Sequence, residues 1–171
     1  MKFTKEGLEE GWFYMSLENE YKKCGLIVSY HGNDMIQDLL VAVNDIVSGK
    51  KRSEYFCWTQ EPEYQMMYLE KKSEDDLQIS VYDFSNEQKK NRGDVLPKGF
   101  HFDEKVTFRI NEKAMTHLAS QVLNELGYYR QEGKEEYNEN WVHLDKGTKI
   151  PFPEKEWKNL EQTLQKNTKT V

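Results

Sequence analysis

The first regular pattern along the chain is an alternation of apolar and polar side chains, which is typical of half-buried strands. Every second position carries a large apolar side chain in residues 12–17 and again in residues 24–30. The polar stretch 18–23 separates the two segments. The pattern therefore predicts a β-hairpin.

An amphipathic helix is predicted directly after this hairpin. Its apolar positions recur at helical spacing: Ile36, Leu39, Leu40, Val43, Ile46 and Val47. Asn33 or Asp34 can cap its N-terminus, Gln37 completes a capping-box spacing with Asp34, and Gly49 can end the helix.

Three further strands are predicted over residues 55–59, 64–71 and 77–84. Pro62 marks the turn before the second of them, because proline cannot donate to a central ladder. The polar run 73–76 connects the second strand to the third as a hairpin turn.

Residues 85–105 are polar, contain Gly and Pro, and are too long for an ordinary connection, so they are predicted to be a long polar loop. A sixth strand, 106–110, precedes a second helix that we expect Asn111 to cap and Gly127 to end. The apolar face of this helix is predicted from Met115, Leu118, Ala119, Val122 and Leu126.

The C-terminal part is predicted to hold a short strand at 141–144 and a helix that starts at Pro153-Glu154. Residues 167–171 are expected to be a frayed tail. The order β-β-α-β-β-β-β-α plus a C-terminal helix predicts a single α+β domain over residues 1–171. We expect an antiparallel sheet of about six strands with the helices packed on one face.

Composition and charge narrow the function. Aromatic residues make up 13% of the 171 residues, which favours a folded core over disorder. The net charge of −6 argues against a nucleic-acid partner and favours a basic one. The N-terminus lacks a signal sequence and no apolar run reaches the length of a membrane span, so we expect a cytoplasmic protein without membrane contact.

No residue pattern indicates a cofactor or a metal site. Cys24 and Cys57 have no CxxC spacing and are interpreted as buried packing thiols. His117 is expected to be solvated. His101 and Asp103, on the same side of an extended stretch of the long loop, are the one local His/Asp pair, although nothing beside them indicates a nucleophile.

Acidic clusters with interleaved aromatic residues are the strongest functional signal. Tyr and Trp are favoured at interface cores, and carboxylates steer a basic protein towards them. The alternative is that these aromatics complete the core. The predicted partner-binding residues are Glu61, Tyr64, Tyr68, Glu74, Asp75, Asp76, Tyr128, Tyr129, Glu135, Glu136, Tyr137, Glu139 and Trp141.

Residues 26–84 resemble small bacterial cytoplasmic proteins of the toxin-immunity kind. The likeness rests on a capped helix, the strand Phe56-Cys57-Trp58-Thr59, the turn Gln60-Glu61-Pro62-Glu63-Tyr64 and the strand Leu77-Gln78-Ile79-Ser80-Val81. The resemblance implies a protein that binds and blocks a cognate toxin, with no catalytic residues.

The leading hypothesis is therefore a non-catalytic immunity or inhibitor protein that occludes a basic partner such as a toxin. One alternative is a small enzyme or ligand-binding domain with a pocket beside the 85–105 loop. Another is a structural or oligomerising protein, since the sequence leaves the oligomeric state open.

Overall fold

The computed structural model describes residues 1–29, 34–59, 64–73, 76–84, 106–112, 115–143 and 146–168. The elements in these ranges are, in chain order, β1 (Lys2–Glu9), β2 (Trp12–Glu18), β3 (Lys23–Ser29), α1 (Met35–Val47), β4 (Ser53–Thr59), β5 (Tyr64–Ser73), β6 (Asp76–Phe84), β7 (Val106–Glu112), α2 (Met115–Arg130), α3 (Lys134–Asn140) and α4 (Glu154–Thr168). The predicted long loop 85–105, with His101 and Asp103, lies outside the described residues.

The strands form two antiparallel sheets, with orders β1-β2-β3 and β4-β5-β6-β7. The predicted α+β class and hairpin pairing are confirmed, but the expected single sheet of about six strands is wrong. The sheet is interrupted where the chain leaves β3 to form α1. The buried Gln65 side chain spans this gap, because its Nε2 donates to the carbonyl oxygen of Gly25 at 3.3 Å.

Strand β1 was not predicted, because its apolar residues do not alternate. Phe3 and Leu8 are both buried although five positions separate them. A shift in the β1-β2 register between Lys5 and Gly7 makes this possible, since an irregularity there returns the later residues to the inner face. The bulge explains why a search for period-two alternation misses the strand.

The helices contact both sheets. Helix α1 packs against β4 and β5, whereas α2 packs against β1 and β7. Helices α1, α2 and α4 also contact one another. One hydrophobic cluster runs through both sheets and all four helices, including Phe13, Ile36, Ile79, Leu126 and Leu160.

Helix α1 forms as its sequence predicts. The Asp34 side chain accepts the backbone N–H groups of Ile36 at 3.1 Å and Gln37 at 3.2 Å. The six apolar residues predicted for its inner face are all buried, and each contributes on the order of 1.5–3 kcal/mol relative to an exposed position. Gly49 follows the helix at a φ of 73°, a conformation that favours glycine.

The boundaries of α2 differ from the prediction at both ends. Asn111 does not cap the helix: β7 extends to Glu112, and the Asn111 side chain accepts Gln78 Nε2 at 3.3 Å. Gly127 does not end it, because α2 continues to Arg130 and Tyr129 supplies one more buried contact.

The C-terminal part is tied to α1. The described part of the predicted strand at 141–144 forms one bridge, between Val142 and Lys149, and Leu144 lies outside the described residues. Helix α4 starts at Glu154 as expected and continues through Thr168, beyond the predicted start of the frayed tail. Asn167 Nδ2 donates to the carbonyl oxygen of Val47 at 3.0 Å, which anchors this end of the helix.

Candidate functional site

The predicted partner-binding residues divide into two groups on different elements. Tyr64, Tyr68 and Asp76 belong to the β5-β6 hairpin, and the remaining described ones lie at the end of α2, in α3 or directly after it. Glu61, Glu74 and Asp75 lie outside the described residues, and Tyr64 is described only by its place in β5.

The prediction that Tyr129, Tyr137 and Trp141 are exposed at a binding surface is wrong. They are 1%, 1% and 0% exposed. The Tyr129 ring packs edge-on against Phe13 of β2 at 5.7 Å between centroids, and Trp141 packs against the same ring at 6.3 Å. These aromatics complete the core, which was the alternative reading of the sequence.

Tyr128, by contrast, is half-buried at the surface and its ring is held in one place. A Cβ on Gly133 would overlap three atoms of the ring, so the ring occupies the space that other residues would fill at position 133. The phenol donates to Glu136 Oε2 at 3.1 Å, and this hydrogen bond raises the pKa of Tyr128. The neighbouring Tyr129 ring stands edge-on at 5.2 Å.

A cation rests on this aromatic pair. Lys5 of β1 places its Nζ 3.7 Å from the centroid of the Tyr128 ring and 5.1 Å from that of Tyr129. Both distances fall within the range of a cation–π interaction. Strand β1 and the end of α2 thus meet at an occupied cation site, which no local sequence pattern indicates.

The β1-β2 turn brings two more carboxylates to the same region. Glu10 and Gly11 have φ angles of 48° and 84°, as in the two-residue turns that match strand twist. Asn140 at the end of α3 accepts the Glu10 N–H on its side chain at 3.3 Å and the Gly11 N–H on its carbonyl oxygen at 2.7 Å. The turn is therefore fixed against α3.

These elements together form what we call the acidic face. Its exposed carboxylates are Glu9, Glu10, Glu132, Glu135 and Glu139, and Glu136 is half-buried among them. The basic residues of the same elements are Lys2 and Lys5 of β1, Arg130 at the end of α2 and Lys134 of α3. Glu135, Glu136 and Glu139 were predicted from sequence, whereas Glu9 and Glu10 were not. The two-residue turn ending in glycine between Glu9 and Trp12 was the signal that could have placed them on a hairpin.

Tyr68 lies on the face of the second sheet that points away from the core. It pairs in register with Tyr55 on one side and Ser80 on the other, and Ser80 pairs in turn with Arg109. The Arg109 Nε donates to Ser80 Oγ at 3.3 Å. This row places Tyr68 two strands away from Arg109, with Ser80 between them.

The candidates for chemistry fall into packing and capping roles where the structure describes them. Burial raises the pKa of the Cys24 thiol to about 11, which suppresses the nucleophilic thiolate. His117 is exposed, as predicted, and its Nε2 lies 2.6 Å from Gln121 Nε2. Within the described residues no group of three or more His, Cys, Asp or Glu side chains is arranged to hold a metal ion.

Burial also raises the pKa of Asp34 to about 6 at the start of α1. Its cap hydrogen bonds and the hydrogen bond with the Trp141 indole lower this pKa and partly offset the effect of burial.

An open hollow of about 370 Å³ lies at the end of β2 that is farther from the β1-β2 turn. It is lined by Met1, Lys2, Glu18, Asn19 and Glu20.

None of the helices that the structure describes is long and apolar enough to cross a membrane. Comparison of the chain with protein-family models, with curated proteins and with solved structures finds no significant match in any of the three.

Proposed function

We propose that this protein is a non-catalytic interaction protein that binds a basic protein partner through the acidic face. The specific role that we infer is that of an inhibitor or immunity protein which occludes a toxin. The proposal rests on the juxtaposition of two acidic segments, the β1-β2 turn and residues 132–139, around the half-buried ring of Tyr128.

The joining of these segments supports the proposal because they are far apart in the chain. The hydrogen bonds from Glu10 and Gly11 to Asn140 hold them together at short range. Carboxylates concentrated on one face raise the association rate of a positively charged partner. A rigid tyrosine among them supplies the kind of side chain that dominates binding energy at interfaces.

The exposure and hydrogen bonding of the carboxylates on the acidic face favour a binding role over a catalytic one. Its carboxylates are largely exposed, and Glu136 is engaged by the phenols of Tyr128 and Tyr129. Solvated carboxylates of this kind act through charge and hydrogen bonding to a partner. The inhibitor role rests in addition on the resemblance of residues 26–84 to immunity proteins. The acidic face lies outside that range and is inferred separately from its own residues.

Affinity capture with charge-reversed variants tests this proposal. We expect the wild-type protein to retain one dominant basic protein, and retention to fall as ionic strength rises. The double variant Glu132→Lys/Glu139→Lys should weaken that complex about ten-fold or more. Glu139 lies in the last turn of α3, where a lysine interacts favourably with the helix dipole, and Glu132 lies between α2 and α3.

The matched control is Glu18→Lys/Glu20→Lys, which makes the same change in net charge at two exposed positions, one at the end of β2 and one in the turn that follows it. This control should retain the partner. Equal loss in both variants would show that only net charge matters, and salt-insensitive retention would contradict the electrostatic mechanism. If the purified partner is active alone and stays active in the complex, the inhibitor role is wrong.

A further inference from the structure

Lys5 occupies an aromatic surface that is built to hold a cation. Its ammonium group lies over the face of Tyr128, and within the described residues no carboxylate is within ion-pairing distance of Lys5 Nζ. The attraction at this point is therefore between the charge and the ring. The ring is positioned independently of Lys5, by Gly133, Tyr129 and Glu136.

The Tyr128 ring is preorganised to bind a cation. A tyrosine that needed Lys5 to hold its conformation would reorganise when Lys5 leaves. Here the missing Cβ at Gly133 and the bond from the phenol to Glu136 keep the ring in place. The Glu136 carboxylate also makes the phenol a better cation binder, because it pulls the hydroxyl proton and leaves more electron density on the ring.

We propose that the ring face of Tyr128 is a cation seat, which the free protein fills with Lys5 and into which the basic partner inserts a lysine or arginine side chain. Lys5 then swings into solvent on its flexible stem. The seat lies within the acidic face, so this inference rests on the proposed function and specifies the chemistry that the face recognises.

A basic side chain of the partner can readily displace Lys5, because one cation replaces another. The incoming group regains the interaction that Lys5 gives up, while the released ammonium is rehydrated. An arginine gains more than a lysine, because its planar group also stacks on an aromatic ring. Lys5 thereby excludes free small cations from the seat, and a partner that carries several basic groups overcomes this competition through its other contacts with the carboxylates.

A small cationic probe tests the seat without any partner. In the Lys5→Ala variant the ring is uncovered, while the backbone N–H of residue 5 still reaches Glu125. We expect tetramethylammonium to shift the NMR signals of the Tyr128 ring saturably in Lys5→Ala, with a dissociation constant roughly five-fold or more below that of the wild type. The control probe is 3,3-dimethylbutanol, which has a similar bulky alkyl group but no charge. It should give no comparable shift of the Tyr128 ring signals.

Two ring variants complete the test in the Lys5→Ala background. Tyr128→Phe keeps the aromatic face and should still bind the probe, observed by methyl signals of tetramethylammonium, whereas Tyr128→Leu should lose binding. Equal binding of the probe by wild type and Lys5→Ala, or equal binding of the neutral analogue, would overturn the seat. If Tyr128→Leu fails to fold, the comparison of the charged and neutral probes still decides.

The outcome is separable from that of the proposed function. Loss of partner binding on charge reversal together with an absent probe response would leave the acidic face as a binding surface and remove the cation seat. A clear probe response without any basic partner would leave a cation site and contradict the interaction-protein proposal.

Discussion

A Cβ added to Gly133 would overlap the Cε1, Cδ1 and Cζ atoms of Tyr128. The φ of Gly133 is −93°, so the backbone itself accepts other residues and the conflict is one of space. We therefore expect Gly133→Ala to displace the Tyr128 ring and to lower the free energy of unfolding by about 1–3 kcal/mol. Urea unfolding measures this change.

Gly127→Ala is the matched control, because a Cβ there has no neighbour within 4 Å and the residue lies inside α2. It should stabilise the protein by about 0.5–1 kcal/mol. The double variant Gly133→Ala/Tyr128→Ala should lose less than the sum of its single changes. Full additivity would mean that the ring and the glycine do not compete for space.

The Asp34 carboxyl gives a pH-dependent stability of defined sign. Burial raises its folded-state pKa to about 6, above the ordinary value of 3.8. The folded state then binds the proton more tightly, so this contribution is complete below about pH 4 and is lost as the pH rises through about 6. The loss is on the order of 3 kcal/mol.

Asp34→Asn isolates this effect, since asparagine still caps the N–H groups of Ile36 and Gln37. The free energy of unfolding of the wild type minus that of Asp34→Asn should fall between about pH 4 and pH 6 and stay constant above that. Parallel stability profiles for the two proteins would show that the pKa of Asp34 is not raised.

Asp45 joins the end of α1 to the start of β4 through two lysines. Its buried carboxylate lies 2.9 Å from Lys50 Nζ and 3.5 Å from Lys51 Nζ. Both lysine side chains are largely solvated, so their attraction to Asp45 is partly screened. We expect Asp45→Asn to destabilise the protein by about 1–2 kcal/mol and Lys50→Met by about 0.5 kcal/mol or less.

A double-mutant cycle between Asp45 and Lys50 measures their coupling, which should decline at high salt. Coupling that does not respond to salt would assign the effect of Asp45 to the packing of its side chain.

Glu125 protects the edge of the first sheet, because its Oε2 accepts the backbone N–H of Lys5 at 2.9 Å. Gln121, one helical turn earlier, accepts the N–H of Phe3, and its Nε2 donates to the carbonyl oxygen of Met1 at 2.9 Å. Glu125→Ala leaves a partly buried donor without its acceptor and should cost about 1–2 kcal/mol. It should also promote self-association through the exposed strand edge.

Asn124→Ala, at an exposed position of the same helix, controls for helix propensity and should be neutral or slightly stabilising. Light scattering and urea unfolding distinguish the two variants. A monomeric Glu125→Ala protein of wild-type stability would show that water replaces the glutamate.

The sequence predicted those elements that have both a regular hydrophobic periodicity and residues that mark their ends. Helix α1 has an apolar stripe, the cap Asp34 and the glycine at 49, and its observed limits agree with all three. The β2-β3 and β5-β6 hairpins follow their alternation. Strand β1 could not be predicted in this way, because the bulge after Lys5 interrupts the alternation of apolar and polar residues.

The site was harder to predict because exposure is set by tertiary packing. Tyr128, Tyr129 and Tyr137 have similar acidic neighbours in the sequence, yet Tyr128 is half-buried and the other two are in the core. Helix α3 has one buried residue, Tyr137, and a single apolar position shows no periodicity. The partnership of Lys5 with Tyr128 depends on contacts between β1 and α2 that no local pattern contains.

The side chains of Gln121 and Glu125 do for β1 what a neighbouring strand would do, and this has a consequence for the order of folding. Their contacts span 118 and 120 residues of sequence. During synthesis β1 leaves the ribosome long before α2 exists, so its open edge must wait for the helix that covers it. Contacts of such range slow folding, and the N-terminal hairpin is the part of the nascent chain that we expect to need protection from premature pairing.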